Sequence, residues 1–273
     1  MSLTPASGIT PRHHFGIGVD IGGTGIKGGI VNLETGDLVG ERFRIDTPKP
    51  ATPEAVAEVL KQIVDELMSR PEAPEADTAV GVTFPAIIDN GVALSAANVD
   101  KSWIGTDVDS LFTATLGRPV TVINDADAAG LAEARYGAGK GVAGTVLTIT
   151  LGTGIGSGMV FNGQLVPNLE LGHLEIDGHD AEAEASASAR ERKDLSWNEY
   201  AKLLQRYFSH VEFLFSPSLF IVGGGISKKS EKYLPLLDLR TKIVPAQLIN
   251  NAGIAGAALQ STLHAEVTGV IAS

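Results

Sequence analysis

Two glycine-rich stretches set 130 positions apart constrain this chain more than any other feature. They are Asp20-Ile21-Gly22-Gly23-Thr24-Gly25-Ile26-Lys27-Gly28 and Leu151-Gly152-Thr153-Gly154-Ile155-Gly156. An apolar run leads into each and another leads out, so each reads as strand, glycine turn, strand. The same shift sets Ile21-Gly22 on Leu151-Gly152, Gly28 on Gly158, Ile30 on Val160 and Asn32 on Asn162. An internal duplication is the expectation. Gly23-x-Gly25-x-x-Gly28 has the form of a dinucleotide fingerprint, but that motif requires a helix to follow, and here GGIVNLETGDLVG continues as strand and turn. No G-x-x-x-x-G-K-[ST] is present either. A hairpin tip of Gly, Thr and Lys can instead cradle phosphate through its N–H groups and hydroxyl, with Lys27 as a nearby charge; the alternative is an ordinary glycine turn.

The rest of the chain supplies α/β elements around these meanders. Thr52-Pro53 opens a helix whose apolar residues Val56, Val59, Leu60, Ile63, Val64 and Leu67 recur at helical spacing, and which ends before Pro71. TAVGVTFPAII and RPVTVIND read as buried strands, the second running into the helix ADAAGLAEARYG. Later come a polar helix over 181–193, an amphipathic helix from Trp197 to Phe215, the strand SLFIVGGGIS and a small-residue helix over 252–263. The expected layout is a tail over 1–14, an N-terminal α/β domain over 15–123 and a C-terminal α/β domain over 124–273 whose last helix is free to pack back on the first half. The stripe Tyr200, Leu203, Leu204, Tyr207, Phe208, Val211 and Phe215 fits either a core or a homodimer interface.

Composition narrows the function classes. There is no cysteine among 273 residues, which excludes disulfides and thiolate zinc sites. The N-terminus lacks a signal-peptide pattern and no apolar run reaches 18 residues, so a cytoplasmic protein without a membrane partner is expected. A net charge of −11 argues against a nucleic-acid surface.

Four further segments carry candidate chemistry. Asn124-Asp125 stands where a strand meets a helix, the place for cleft residues in an α/β sheet. Asp125 suits a general base towards a hydroxyl or a helix N-cap, with Asp127 a rival cap. Glu170-Leu171-Gly172-His173-Leu174-Glu175 offers two carboxylates and an imidazole suited to sugar hydroxyls, or a polar loop. Gly223-Gly224-Gly225 ends a strand and leaves room for a purine or its phosphates, or makes a tight turn. Lys228, Lys229 and Lys232 follow it, either facing a polyanion or solvated.

Taken together, DIGGTGIKGGIV (20–31), INDADAAGLAE (123–133), TLGTGIGSGMV (150–160), ELGH (170–173) and VGGGIS (222–227) resemble the ROK family of sugar kinases, in family order and over nearly the whole chain. SAANVDKSWIGTD (95–107) and FLFSPSLFIVGGGIS are similar to the family's polyphosphate- and ATP-using glucokinase branch. The resemblance implies an actin-like, hexokinase-like (ribonuclease H-like) duplicated fold, two α/β halves around a central cleft. It implies a phosphotransferase moving a terminal phosphoryl group from polyphosphate or ATP to the 6-hydroxyl of glucose, and of mannose. A strictly ATP-dependent glucokinase remains the alternative, as does a non-catalytic sugar-sensing repressor, although 19 residues before Asp20 leave little room for a helix-turn-helix.

By the same resemblance Asp125 is the base, and Asn98, Asn124, Glu170 and His173 hold the sugar. Asp20, Gly22, Gly23, Thr24, Gly25 and Lys27 meet the transferred phosphoryl and Mg²⁺, with Asp20 as the metal residue. Gly152, Thr153 and Gly154 take the donor phosphates, and Gly223, Gly224 and Gly225 serve ATP. Most family members carry a cysteine-rich zinc loop after the ELGH-like motif; GHDAEAEAS stands there instead, so zinc is not expected. Glu182 matches the sugar-contacting glutamate that closes that loop, with Glu175 as its rival.

Overall fold

The structure is a computed structural model that describes residues 14–96 and 99–268. These residues form two compact units, one comprising 14–128 and 250–268 without Ala97 and Asn98, the other 129–249. The first crossing between units falls inside a helix, at Ala128/Ala129, and the second at Ile249/Asn250.

The first unit is built on strands β1 (Phe15–Ile21), β2 (Gly25–Asn32), β3 (Leu38–Asp46), β4 (Val80–Phe84) and β7 (Val120–Asn124), with the short pair β5 (Ile88–Asp89) and β6 (Val92–Ala93) set apart. The sheet runs β3-β2-β1-β4-β7; β1 to β3 form an antiparallel meander, and β4 and β7 run parallel to β1. Helix α1 (Pro53–Met68) starts where Thr52 accepts a hydrogen bond from Ala55 N and buries Val56, Leu60, Ile63, Val64 and Leu67. Helix α2 (Val108–Leu116), which the sequence reading passed over, is capped by Asp107 and closed by left-handed Gly117. Helix α3 (Asp125–Arg135) leaves β7 without a gap. Trp103 of the SAANVDKSWIGTD segment is fully buried against Phe84, ring centroids 4.4 Å apart.

The second unit repeats the plan. Strands β8 (Thr145–Leu151), β9 (Ile155–Phe161), β10 (Gln164–Val166), β13 (Leu219–Gly223) and β14 (Ile243–Pro245) are ordered β10-β9-β8-β13-β14, again a meander followed by two parallel strands. β1 and β8 start and end 130 residues apart, and their alternation of buried and half-buried positions is identical. The duplication read from the glycines is therefore present in the pairing of both sheets. β11 (Glu175–Ile176) and β12 (His179–Asp180) make a small hairpin. The polar helix expected over 181–193 is broken at Ser186, whose extended backbone ends α4 (Ala181–Ala185) and whose hydroxyl caps α5 (Ala187–Arg192) at Ala189 N. Helix α6 (Trp197–Phe215) opens on a full Ser196/Glu199 capping box. Tyr200, Leu204, Tyr207, Phe208 and Val211 of its stripe are buried within this chain, which makes the stripe core.

The last helix, α7 (Ala252–Thr268), belongs to the first unit and runs five residues beyond the expected 252–263. Gly18 and Gly81 let it lie directly on the sheet, since a Cβ at either would fall on the carbonyl of Ile254 or Ala257. No described helix is long and apolar enough to cross a membrane.

Candidate functional site

In the first unit, the expected residues gather at the carboxyl ends of the parallel strands. Asp20 pairs across the sheet with Lys27 on one side and Thr83 on the other. The Thr83 hydroxyl donates to Asp20 Oδ1 at 2.8 Å, and Lys27 Nζ stands 3.9 Å from Oδ2. The turn that follows is held from outside: Gly22 N donates to Gly25 O at 3.2 Å, Thr47 Oγ1 to Gly22 O at 2.5 Å, and Arg44 Nη2 to Thr24 O at 2.9 Å. A Cβ at Gly25 would run into the Arg44 guanidinium, whereas one at Gly23 would meet nothing. The tip at Gly23 is thus open space beside a fixed backbone, the arrangement a phosphate oxygen needs. Thr83, Arg44 and Thr47 are not legible in the sequence as site residues because they reach the turn from β4, from β3 and from the position just after β3.

Asn124 and Asp125 divide the two roles that the sequence left open. Asn124 Oδ1 accepts from Ala126 N at 2.8 Å and Asp127 N at 3.3 Å, so Asn124 is the side chain that caps α3, while its Nδ2 donates to Ala86 O at 3.1 Å. Asp127, the rival cap, is buried. Asp125 therefore occupies the first helical position with an exposed carboxylate, which also accepts from Ala126 N at 2.9 Å. The helix N-terminus favours negative charge there. Asn98 lies outside the described residues.

In the second unit the ELGH segment and the turn after β8 form one cluster. Gly152 N donates to Gly154 O at 3.0 Å, and Ser188 N at the start of α5 donates to Gly152 O at 3.1 Å. Glu182 Oε2 accepts from Ile155 N at 3.0 Å, and a Cβ at Gly154 would collide with that carboxylate. His173 Nδ1 is 2.9 Å from Asp180 Oδ2. Asp180 Oδ1 in turn accepts from Glu182 N and Ala183 N, capping α4. His173, Asp180 and Glu182 each bring a ligand-type atom within 4.8 Å of the others. Asp180 and Glu182 already accept these backbone bonds, and no thiolate is present.

Partial burial is the main influence on the Glu170 carboxyl and pushes its pKa above the usual carboxylate range; nearby Glu182 adds to this and His173 opposes it. Glu175 is exposed on β11, paired across the hairpin with Asp180 but not one of the three residues of the His173 cluster. Left-handed Gly224 packs its Cα side against the Leu151 carbonyl, while Gly225 faces open space. Two short 3-10 turns joined across a kink at Lys229 span Gly225–Lys232 after β13.

The hydrogen bond to Asp180 raises the His173 pKa, with Glu182 and Glu170 acting in the same direction. Burial pushes Asp180 up, but the bonds from His173 and Ala183 N outweigh it and leave its pKa lowered. With the folded pKa raised, the His173 contribution to stability is complete below the unfolded value of about 6.5 and is lost as pH rises through the folded value. The Asp180 contribution has the opposite sign and is lost as pH falls through its lowered value. Asp180→Asn retains a good helix cap and removes the charge. Its expected result is a His173 pKa lower than in the parent protein, read by NMR titration of the ring protons; an unchanged value would contradict the pairing.

The chain as a whole is similar to known proteins. The chain is 51% identical over 261 residues, 95% of either length, to a protein named polyphosphate glucokinase from Mycobacterium tuberculosis strain H37Rv. The crystal structure of inorganic polyphosphate/ATP-glucomannokinase from Arthrobacter sp. strain KM superposes with a TM-score of 0.85 at 72% identity, covering 92% of this chain and 99% of that one. A ROK family glucokinase from Streptomyces griseus, solved with glucose and AMPPNP, superposes with a TM-score of 0.76 at 27% identity, covering 91% and 99%. The fold is thus the hexokinase-like, actin-like one of these kinases. The ROK family profile matches residues 16–185, and with such relatives along nearly its whole length the chain belongs to the ROK family.

Proposed function

We propose that this protein is a kinase that moves a terminal phosphoryl group from polyphosphate or ATP to the 6-hydroxyl of glucose, and of mannose. The observation that carries the reading is the division of labour at the head of α3, where Asn124 caps the helix and leaves the Asp125 carboxylate exposed. Asp125 takes the proton from the sugar hydroxyl as its oxygen attacks phosphorus. The new O–P bond replaces the bridging P–O bond, and ADP or a polyphosphate shortened by one unit leaves. Such transfer needs positioning and charge neutralisation more than covalent help. Asn124, Glu170, His173 and Glu182 bind sugar hydroxyls, with Glu182 favoured over Glu175 because it shares the His173 cluster. The backbone N–H groups of 22–25 and 152–154 receive phosphate oxygens, and Gly223–Gly225 accommodates the nucleotide.

Mg²⁺ fits the Asp20 carboxylate. That group is a hard oxygen donor, Thr83 holds one of its oxygens, and the side chain is about a quarter exposed. When bound, the ion would neutralise charge on the donor phosphates.

A panel of acceptors tests the reading. Glucose and mannose should be phosphorylated, and 6-deoxyglucose should inhibit competitively without becoming product. Phosphorylation of 6-deoxyglucose would contradict transfer to the 6-hydroxyl.

A further inference from the structure

One patch of this acidic protein gathers four cations, Arg190, Lys228, Lys229 and Lys232, around a single carboxylate of the Gly225–Lys232 segment, exposed Glu231. Arg190 on α5 stacks its guanidinium 3.9 Å from the Trp197 ring centroid. Lys229 and Lys232 bring their ammonium groups to 6.0 and 5.7 Å of the same ring. Lys228, beside them in the chain, is exposed. Although the chain has 32 carboxylate residues, none among the described residues makes an ion pair with any of these four cations. Arg190 Nε is moreover buried without a hydrogen-bond partner. Like charges gathered on one indole repel one another, and the weak cation–π attraction of exposed contacts offsets this only in part. A multivalent anion removes the repulsion.

The patch also grows out of both donor loops of its own unit. Ser188, two residues before Arg190, is bonded to the Gly152 carbonyl. The segment bearing Lys228, Lys229 and Lys232 starts at Gly225 and is pinned by Ser227 Oγ donating to Gly224 O at 2.7 Å. The lysines lie three, four and seven residues beyond Gly225, the last of them past a kink at Lys229. An anion that starts at the glycine loops and continues beyond them is the one that reaches these cations.

We propose that Arg190, Lys228, Lys229 and Lys232 form a track for the distal phosphates of a polyphosphate donor. The inference rests on the kinase reading above and adds where the chain beyond the reacting end is held. It also resolves how a protein of net charge −11 attracts a polyanion, through local concentration of charge.

The test is the triple substitution Lys228→Gln/Lys229→Gln/Lys232→Gln, assayed for glucose 6-phosphate with long-chain polyphosphate and with ATP. The track predicts a KM for long polyphosphate raised tenfold or more, a shallower dependence of that KM on salt, and an unchanged KM for ATP. The kcat with either donor should be unchanged. An unchanged polyphosphate KM, in a protein whose parent uses polyphosphate, would overturn the track and leave the kinase reading intact. An equal rise for ATP would overturn it too, by assigning the lysines to the nucleotide. A parent protein that uses ATP but not polyphosphate would overturn the donor reading and the track together.

Discussion

Asp125→Asn is expected to lower kcat for hexose phosphorylation by about 10²–10⁴-fold, the usual contribution of a positioned general base. Asparagine has the same shape and still offers an oxygen to Ala126 N, so helix α3 keeps its first turn. The cap itself is on Asn124 and is untouched. Glucose affinity, measured by calorimetry, should therefore change by no more than a few-fold while turnover collapses. A variant that keeps near-full turnover would remove Asp125 from the role of base. A variant that loses glucose binding in proportion to turnover would make it a binding residue instead.

The largest stability effect is expected at Glu133, which lies in the same helix and is 1% exposed. Its Oε1 accepts from Gln247 N at 2.9 Å and Leu248 N at 2.7 Å, and its Oε2 from Ala138 N at 2.9 Å. One side chain thus ties the segment after α3 to the segment just before the chain returns to the first unit at Asn250. Glu133→Ala removes the acceptor for three N–H groups at once. An unmade buried bond costs about 1–3 kcal/mol each, and water re-entry recovers part of that, so a net loss of roughly 3 kcal/mol is expected. For a chain of this size the fall in Tm should be roughly 6–12 °C. Glu133→Gln keeps one amide oxygen and should lose about half as much. Equal Tm values for the alanine variant and the parent would show that the clasp is not holding the second unit.

The sheets were the most legible part of the fold, for a physical reason. A glycine turn between two strands fixes both register and spacing, so a repeat in sequence became a repeat in pairing order, β3-β2-β1-β4-β7 against β10-β9-β8-β13-β14. Helix α6 was legible to the residue because Ser196 and Glu199 form a capping box and its apolar stripe is regular. The break at Ser186 was not legible, since neither glycine nor proline marks it; the hydroxyl cap competes with helix continuation only once α4 and α5 are packed.

The site divides along the same line. Positions within one turn or one strand end, such as Gly22–Gly25 or Asn124-Asp125, could be read as candidates. Which of the adjacent Asn and Asp caps α3 depends on side-chain direction, and sequence holds no record of that. Asp180 was missed because its bond to His173 spans a small hairpin between residues seven apart. Thr83 and Arg44 reach the Asp20 turn from strands 63 and 20 residues away. The basic patch escaped in part: Lys228, Lys229 and Lys232 were visible as a group, but Trp197 and Arg190 join them only through packing.

The central claim is donor use, and it is tested most directly with nucleotide-stripped protein given glucose, Mg²⁺ and long-chain polyphosphate, followed by ³¹P NMR. The account predicts a growing glucose 6-phosphate signal matched by loss of polyphosphate, with no nucleotide added. No glucose 6-phosphate under these conditions, with product appearing once ATP is supplied, would contradict it.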